Sequence, residues 1–349
     1  MPNKRFEFRF EIIHRKSAIS YDERILKVVK MTKQNRVYES IVDLIASPEN
    51  PTPMVKITEK VNPNTDFKIY LKLERYNPFG SIKDRIALSM LEGLEIKQGN
   101  FLVEPSSGNT GIALAALANA KGIPIEIAVP ERIPEEKKTL LRLLGVQTLW
   151  EADDKLCPVF PNEGARGLVN AMLKSKGGEK YVSPNQYENE LNVKAHYETT
   201  GPEIWNQTDG KVDYFFAGFG TCGTITGVGK YLKAKKPSVK IIGVEPASSE
   251  HNLPGMKKIS DLTEDLVPKI LDKSVIDDTI TVEDEDAYRT GIQLARQEGI
   301  LVGPTTGAIV YAALQYARKY KGLAVTVSPD DAFKYISFYE PYVKKQGRP

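Results

Sequence analysis

Short apolar runs alternate along most of this chain with amphipathic stretches of about ten to fifteen residues, and that rhythm restricts the possible folds most. FKIYLKLE (67–74), FLVEP (101–105), IPIEIAVP (123–130), VQTLWEA, YVS, VDYFFAG, VKIIGVE and LAVTVSP read as strands. Between them, residues 81–97 place Ile82, Ile86, Met90, Leu91 and Leu94 on one helical stripe. EEKKTLLRLLG, a stretch over 164–176, GTITGVGKYLKAKK, DEDAYRTGIQLARQEG and GAIVYAALQYARKYK read as further helices. Strand, helix, strand in succession means βαβ units and mostly parallel sheets covered on both faces, an α/β fold. At 349 residues the chain is long for one domain. The rhythm predicts a basic arm over 1–45, an α/β domain over 46–195 and a second over 196–349, each of three layers.

Composition excludes several classes. No run of 18 apolar residues is present, so no membrane span is expected. Charges interrupt MPNKRFEFRFEIIHRK, so it does not read as a signal peptide. Two cysteines, Cys157 and Cys222, form no CxxC pair, and three histidines have no ligand spacing. Neither a disulfide framework nor a metal site is expected, and a reducing, cytoplasmic compartment fits. The net charge of +3 is uneven, because residues 1–36 hold ten Lys or Arg against four Asp or Glu. Without a nucleic-acid motif, that arm reads as a solvated or subunit-packing extension.

In open α/β sheets, ligands bind where strand ends enter helices. Three such loops are rich in small and hydroxyl residues: SSGNTG (106–111), GFGTCGT (218–224) and GPTTG (303–307). Gly218, Gly220 and Gly223 spell GxGxxG after an apolar strand, with Glu245 ending the next strand. Alone, this is compatible with a dinucleotide site, a tight strand-to-helix turn, or a cradle for one phosphate. Thr221 and Thr224 would add hydroxyls to the last of these.

LKLERYNPFGSIKDR (71–85) places Lys83 in the first turn of a helix, behind an Asn-Pro-Phe-Gly turn. A cation is disfavoured there, which lowers a lysine pKa and suits an amine that must be neutral to attack an aldehyde. Ser81-x-x-Asp84 is also compatible with a plain capping box and an exposed lysine.

KLERYNPFGSIKDR, EPSSGNTGIALA, NQYENELNVKAHYETTGPEIW, GFGTCGTITG, GVEP, EGILVGPTTGA and SPDDAFKYIS occur in that order. In order and spacing the chain resembles, from about Thr52 to Tyr339, the fold-type II pyridoxal 5′-phosphate (PLP) enzymes called cysteine synthases. These are O-acetylserine or O-phosphoserine sulfhydrylases, related to cystathionine β-synthase. The resemblance implies PLP in a cleft between two domains, a homodimer, and no membrane partner. It implies that Lys83 holds PLP as a Schiff base and moves protons. Gly220, Thr221, Cys222, Gly223 and Thr224 would form the phosphate cup. Asn109 would hydrogen-bond the cofactor's 3′-oxygen, and Thr305 would face its ring nitrogen. Ser106, Ser107, Asn109 and Thr110, with Gln186, would hold the substrate carboxylate. The implied reaction replaces the β-substituent of an O-activated L-serine with sulfide, giving L-cysteine. Cystathionine β-synthase activity is the alternative, and a serine or threonine dehydratase a more distant one. Cys222 departs from the glycine of many relatives, and space filling explains it better than a redox role. Lys257 or Lys258 would pair with the phosphate of O-phosphoserine, which is placed slightly ahead of O-acetylserine.

Overall fold

The computed structural model describes residues 37–345, except 107, 132, 134 and 153–163. The basic arm, Ser107 and Cys157 lie outside the described residues. From Ser40 onward the chain forms one compact unit containing two sheets.

The smaller sheet has the order β5-β4-β3-β6, all parallel, from β3 (Phe101–Pro105), β4 (Ile125–Pro130), β5 (Thr148–Ala152) and β6 (Tyr181–Val182). Leu102, Ile125 and Ile127 face one side, under α1 (Lys83–Glu92) and α2 (Asn109–Ala120). Val103 and Ala128 face the other, under α4 (Gly164–Lys174); α3 (Glu135–Leu143) connects β4 to β5. This is a three-layer arrangement, as the near-continuous apolar strands require.

The larger sheet runs β1-β2-β10-β7-β8-β9. Its strands are β1 (Met54–Lys56), β2 (Phe67–Leu73), β7 (Tyr214–Gly218), β8 (Lys240–Pro246), β9 (Asp278–Val282) and β10 (Gly322–Ser328), and only the β1–β2 pair is antiparallel. Alternation splits its core: Phe215, Ala217, Ile241, Val325 and Val327 pack with α7 (Gly223–Lys235). Phe67, Ile69, Leu71, Phe216 and Ile242 pack on the opposite face with α8 (Asp284–Glu298) and α9 (Pro304–Ala317). Two short helices, α5 (Glu190–Ala195) and α6 (Gly201–Gln207), lead from β6 to β7, and a C-terminal helix, α10 (Ile336–Lys345), follows β10.

Two expectations are corrected. The sheets do not divide at residues 195 and 196: β1 and β2 precede that boundary yet belong to the larger sheet, because β2 pairs along its whole length with β10. A sequence cut cannot anticipate which strands an early hairpin will join. The helix expected over 81–97 ends at Glu92, where Gly93 packs so tightly on Leu191 that a Cβ would lie 2.2 Å from its Cδ1.

Beneath α1 lies a buried network of four charges. Arg85 reaches Glu74 through Nε at 2.7 Å and Nη2 at 3.0 Å, and Glu203 through Nη1 at 2.5 Å and Nη2 at 2.9 Å. Lys72, on β2, meets Glu203 at 2.7 Å and Gln207 at 2.9 Å. Both carboxylates are thus doubly compensated, the condition under which buried charge is tolerable. Burial pushes the Glu74 carboxyl up, but Arg85 and then Lys72 outweigh it and hold it at about 2. The stability Glu74 contributes is therefore complete above the ordinary glutamate pKa and drains away as pH falls towards 2. Arg85→Ala is expected to cost about 3–5 kcal/mol in urea unfolding and to flatten that acid limb. A loss below about 1 kcal/mol would show that the network is not what holds α1.

Candidate active site

Most groups of the candidate site follow the carboxyl end of a parallel strand, but the GPTTG loop, read in the sequence as a strand end, instead joins α8 to α9. Lys83 follows β2, the SSGNTG loop follows β3, Gln186 follows β6, the 220–224 turn follows β7, Lys257 follows β8 and Asp330 follows β10. Parallel strands align these ends, so segments remote in sequence share one mouth.

Lys83 opens α1 and is half-buried. The turn before it is held by Asp84, which accepts from Phe79 N at 2.6 Å and Ser81 Oγ at 3.2 Å. The Ser81–Asp84 pair thus exists, but it closes the Asn-Pro-Phe-Gly turn rather than capping an exposed helix. Burial pushes the Lys83 amine down to about 8, against weaker pulls from Cys222 and Asp330. The main cause is desolvation rather than the helix end that the sequence suggested. Those neighbours place the amine within electrostatic reach of the glycine turn and of the 330 loop.

The turn Gly220–Thr224 runs into α7. Gly220 and Gly223 allow close approach: a Cβ would lie 2.5 Å from Gly255 O at the first and 1.9 Å from Asn192 Oδ1 at the second. Among the described residues, none of the backbone N–H groups from Gly220 to Thr224 donates a hydrogen bond to the chain. Thr221 Oγ1 accepts from Asn192 Nδ2 at 3.2 Å, and Thr224 Oγ1 meets His196 Nε2 at 3.1 Å. His196, whose Nδ1 lies 3.0 Å from Thr200 Oγ1, stays neutral because burial pushes it down to about 3. Unsatisfied donors and two oriented hydroxyls at the start of a long helix suit a phosphate. The third reading of the GxGxxG segment thus fits this geometry. The dinucleotide reading loses its acidic residue: Glu245 is 2% exposed and accepts Ser260 N at 3.0 Å.

On the facing loop, Ser106 Oγ accepts from Gly111 N at 3.0 Å and thereby shapes the loop. Thr110 Oγ1 donates to Gln186 Oε1 at 2.7 Å, so two residues expected at one subsite do meet. Glu104, unremarked in the sequence, takes the N–H groups of Asn185 at 3.0 Å and Gln186 at 3.4 Å, and burial pushes its carboxyl up to about 7. Asn109 Nδ2 donates to Asp330 Oδ2 at 2.7 Å. Thr305 Oγ1 donates to Pro254 O at 3.2 Å. Lys257 lies 5.2 Å from the Tyr187 ring, beside Gln186, and its charge acts on Cys222. Lys258 turns away, to Ala247 O at 2.5 Å and Asp261 at 3.5 Å. Sequence reasoning also missed Asn192, His196, Asp330 and Lys334. All four lay within quoted motifs but have no role separable from them by residue type.

Cys222 is 3% exposed and adopts φ +69°, a left-handed backbone that suits glycine. Its side chain packs among Phe219, Ile225 and Ile82. Burial pushes the thiol up to about 12, so no useful thiolate exists near neutrality. In a Cys157→Ser background, a thiol reagent at pH 8 should label folded protein on the order of a thousandfold more slowly than unfolded protein. Comparable rates would overturn the packing role.

The residues present fit PLP: an amine of lowered pKa, a phosphate-sized cup and an amide-bearing loop surround one mouth. Among the described residues no cluster able to hold a metal is found, and no helix is long and apolar enough to cross a membrane. Residues 45–330 match the family model described as pyridoxal-phosphate dependent enzyme. The cysteine synthase of Aquifex aeolicus (strain VF5) is 41% identical over 312 residues, covering 86% of this chain and 91% of that one. The cysteine synthase of Staphylococcus aureus (strain Mu50) is 39% identical over 85% of this chain and 96% of its own. The crystal structure of a cysteine synthase from Entamoeba histolytica superposes with a TM-score of 0.81 at 29% identity, covering 96% of each chain. On the match over residues 45–330 and the identity to these relatives, the chain belongs to the pyridoxal-phosphate dependent enzymes.

Proposed function

We propose that this protein is a cysteine synthase, replacing the β-substituent of an O-activated L-serine with sulfide to give L-cysteine. The observation that carries the proposal is the Lys83 amine, half-buried with its pKa near 8, in electrostatic reach of both Cys222 in the cup and Asp330 beside Asn109. When bound, PLP supplies an aldehyde for an amine and a conjugated ring that stabilises negative charge at Cα.

Lys83 would hold the cofactor through its amine, and the same amine, when free, would remove and return the substrate's Cα proton. A pKa near 8 suits both duties, since appreciable neutral amine is present at physiological pH. The N–H groups of 220–224 and the hydroxyls of Thr221 and Thr224 take the phosphate. Thr305, whose hydroxyl donates to Pro254 O, would stand towards the ring nitrogen and offer no carboxylate there. Ser106, Ser107, Asn109 and Thr110 with Gln186 receive the substrate carboxylate. The Thr110–Gln186 hydrogen bond supports this assignment. PLP lies in this reading between the two parts of the chain that carry these loops.

The leaving group follows from charge. Lys257, 8% exposed beside Tyr187 and Cys222, brings a cation to the same mouth, and O-phosphoserine, with a dianionic leaving group, is the substrate it favours over O-acetylserine. Lys258 does not share that role, its ammonium being engaged by Ala247 and Asp261. A homodimer in the cytoplasm is part of the same proposal, and the free thiol of Cys222 supports a reducing setting.

Adding O-phosphoserine to PLP-bound protein should shift the cofactor's visible absorption, and sulfide should restore it with release of cysteine. Lys257→Ala should raise the concentration of O-phosphoserine needed by about tenfold or more while changing that of O-acetylserine little. No spectral change with either substrate would overturn β-replacement, and equal effects on both would overturn the role of Lys257.

A further inference from the structure

The segment Ser328–Tyr335, beyond the motifs that bind cofactor or substrate, converges on the candidate site from the end of β10. Lys334 Nζ lies 3.1 Å from Phe79 O, 3.1 Å from Gly80 O and 2.8 Å from Asn109 Oδ1. An ammonium has three donors, and these acceptors match them. The first two belong to the turn that leads into Lys83. Gly80 makes room for the arrangement: its φ is +77°, and a Cβ there would approach Lys334 Nζ to 3.3 Å.

Asp330 closes the other side. Its Oδ2 accepts from Asn109 Nδ2 at 2.7 Å and from Tyr335 OH at 2.5 Å. Its Oδ1 packs against Gly303, two residues before Thr305, where a Cβ would lie 2.2 Å away. The backbone adds a tie, Ile82 N donating to Pro329 O at 2.8 Å.

The Asn109 amide therefore sits between a cation at its oxygen and a carboxylate at its nitrogen. Rotating it by half a turn would set Nδ2 against the ammonium and Oδ1 against the carboxylate, losing two charge-assisted hydrogen bonds at once. One orientation is enforced, and it leaves the second Nδ2 hydrogen uncommitted to Asp330.

We infer that Lys334 and Asp330 are positioning residues that lock the Asn109 amide and the Phe79–Gly80 turn together, so that an amide N–H and the Lys83 amine are presented as one rigid unit to the cofactor's ring oxygen and aldehyde. The inference rests on the PLP reading of Asn109 and Lys83. Neither residue touches the cofactor or substrate in this account; each acts through Asn109 or the turn.

A double-mutant cycle on cofactor binding tests it. Apoprotein of the wild type, Lys334→Met, Asn109→Ala and the double variant is titrated with PLP, and the visible spectrum of each is recorded. Lys334→Met replaces a half-buried ammonium by an apolar chain of similar length, and its thermal midpoint is measured alongside. Lys334→Met is expected to bind PLP about tenfold more weakly and to shift its absorption maximum, as Asn109→Ala does, whereas the double variant loses clearly less than the product of the two single losses. Asp330→Asn, which keeps an acceptor for Asn109 and Tyr335, is expected to bind more tightly than Asp330→Ala. Multiplying losses in the double variant, or a Lys334→Met protein with unchanged affinity and spectrum, overturn the inference while the PLP reading stands. A wild type that takes up no PLP overturns both.

Discussion

The parallel pairing of β2 with β10, in register from Phe67 with Gly322 to Leu73 with Ser328, decides where the candidate lysine can be. Both strands end at the same level, so the turn after Leu73 and the loop after Ser328 emerge side by side. The bond from Ile82 to Pro329 and the Lys334 contacts on the Phe79–Gly80 turn cross between segments that meet because these two strands do. A slip of one residue would reverse the faces of β2, sending Phe67, Ile69 and Leu71 out of the core.

Below this alignment, polar chemistry is buried only where it is compensated. Arg85 stands two residues after Lys83 and forks between Glu74 and Glu203, so the first turn of α1 is anchored from beneath while its amine stays in the mouth. The two lysines of this region meet opposite fates. Lys72 is enclosed, and the charges of Glu203 and Glu74, with the hydrogen bond to Glu203, oppose the burial that lowers its pKa. Lys83 has only distant Cys222 and Asp330 for compensation and settles near 8. A buried amine without a partner costs stability in a chain with no use for it. The lowered pKa of Lys83 and the turn N–H groups that make no bond to the chain are what the proposed cofactor role would use.

Much of this was legible in the sequence. The alternation of strand and helix specified the fold class because each period reports a local face, and two of the three hydroxyl-rich loops, 106–111 and 218–224, do follow strand ends. Ordered motifs then singled out Lys83, the cup and Thr305. What was not legible depends on partners far along the chain. Lys72, Glu74 and Glu104 are charges inside apolar runs, which demands compensation, yet nothing local reveals that Glu203, Arg85 or the Gln186 loop supplies it. Glu245 fitted a dinucleotide fingerprint by spacing alone, and its commitment to Ser260 appears only in three dimensions. The β1–β2 hairpin crosses to the larger sheet for the same reason: pairing choice is a global property.

Lys83, and no other of the many lysines, is proposed to carry PLP. Borohydride reduction of the PLP-bound protein, digestion and peptide sequencing locate the pyridoxyl mass. Modification is expected on the peptide containing Lys83 and is expected to be abolished in Lys83→Ala. Stoichiometric modification of Lys72, Lys257, Lys334 or another lysine, or none at all, would contradict the proposal.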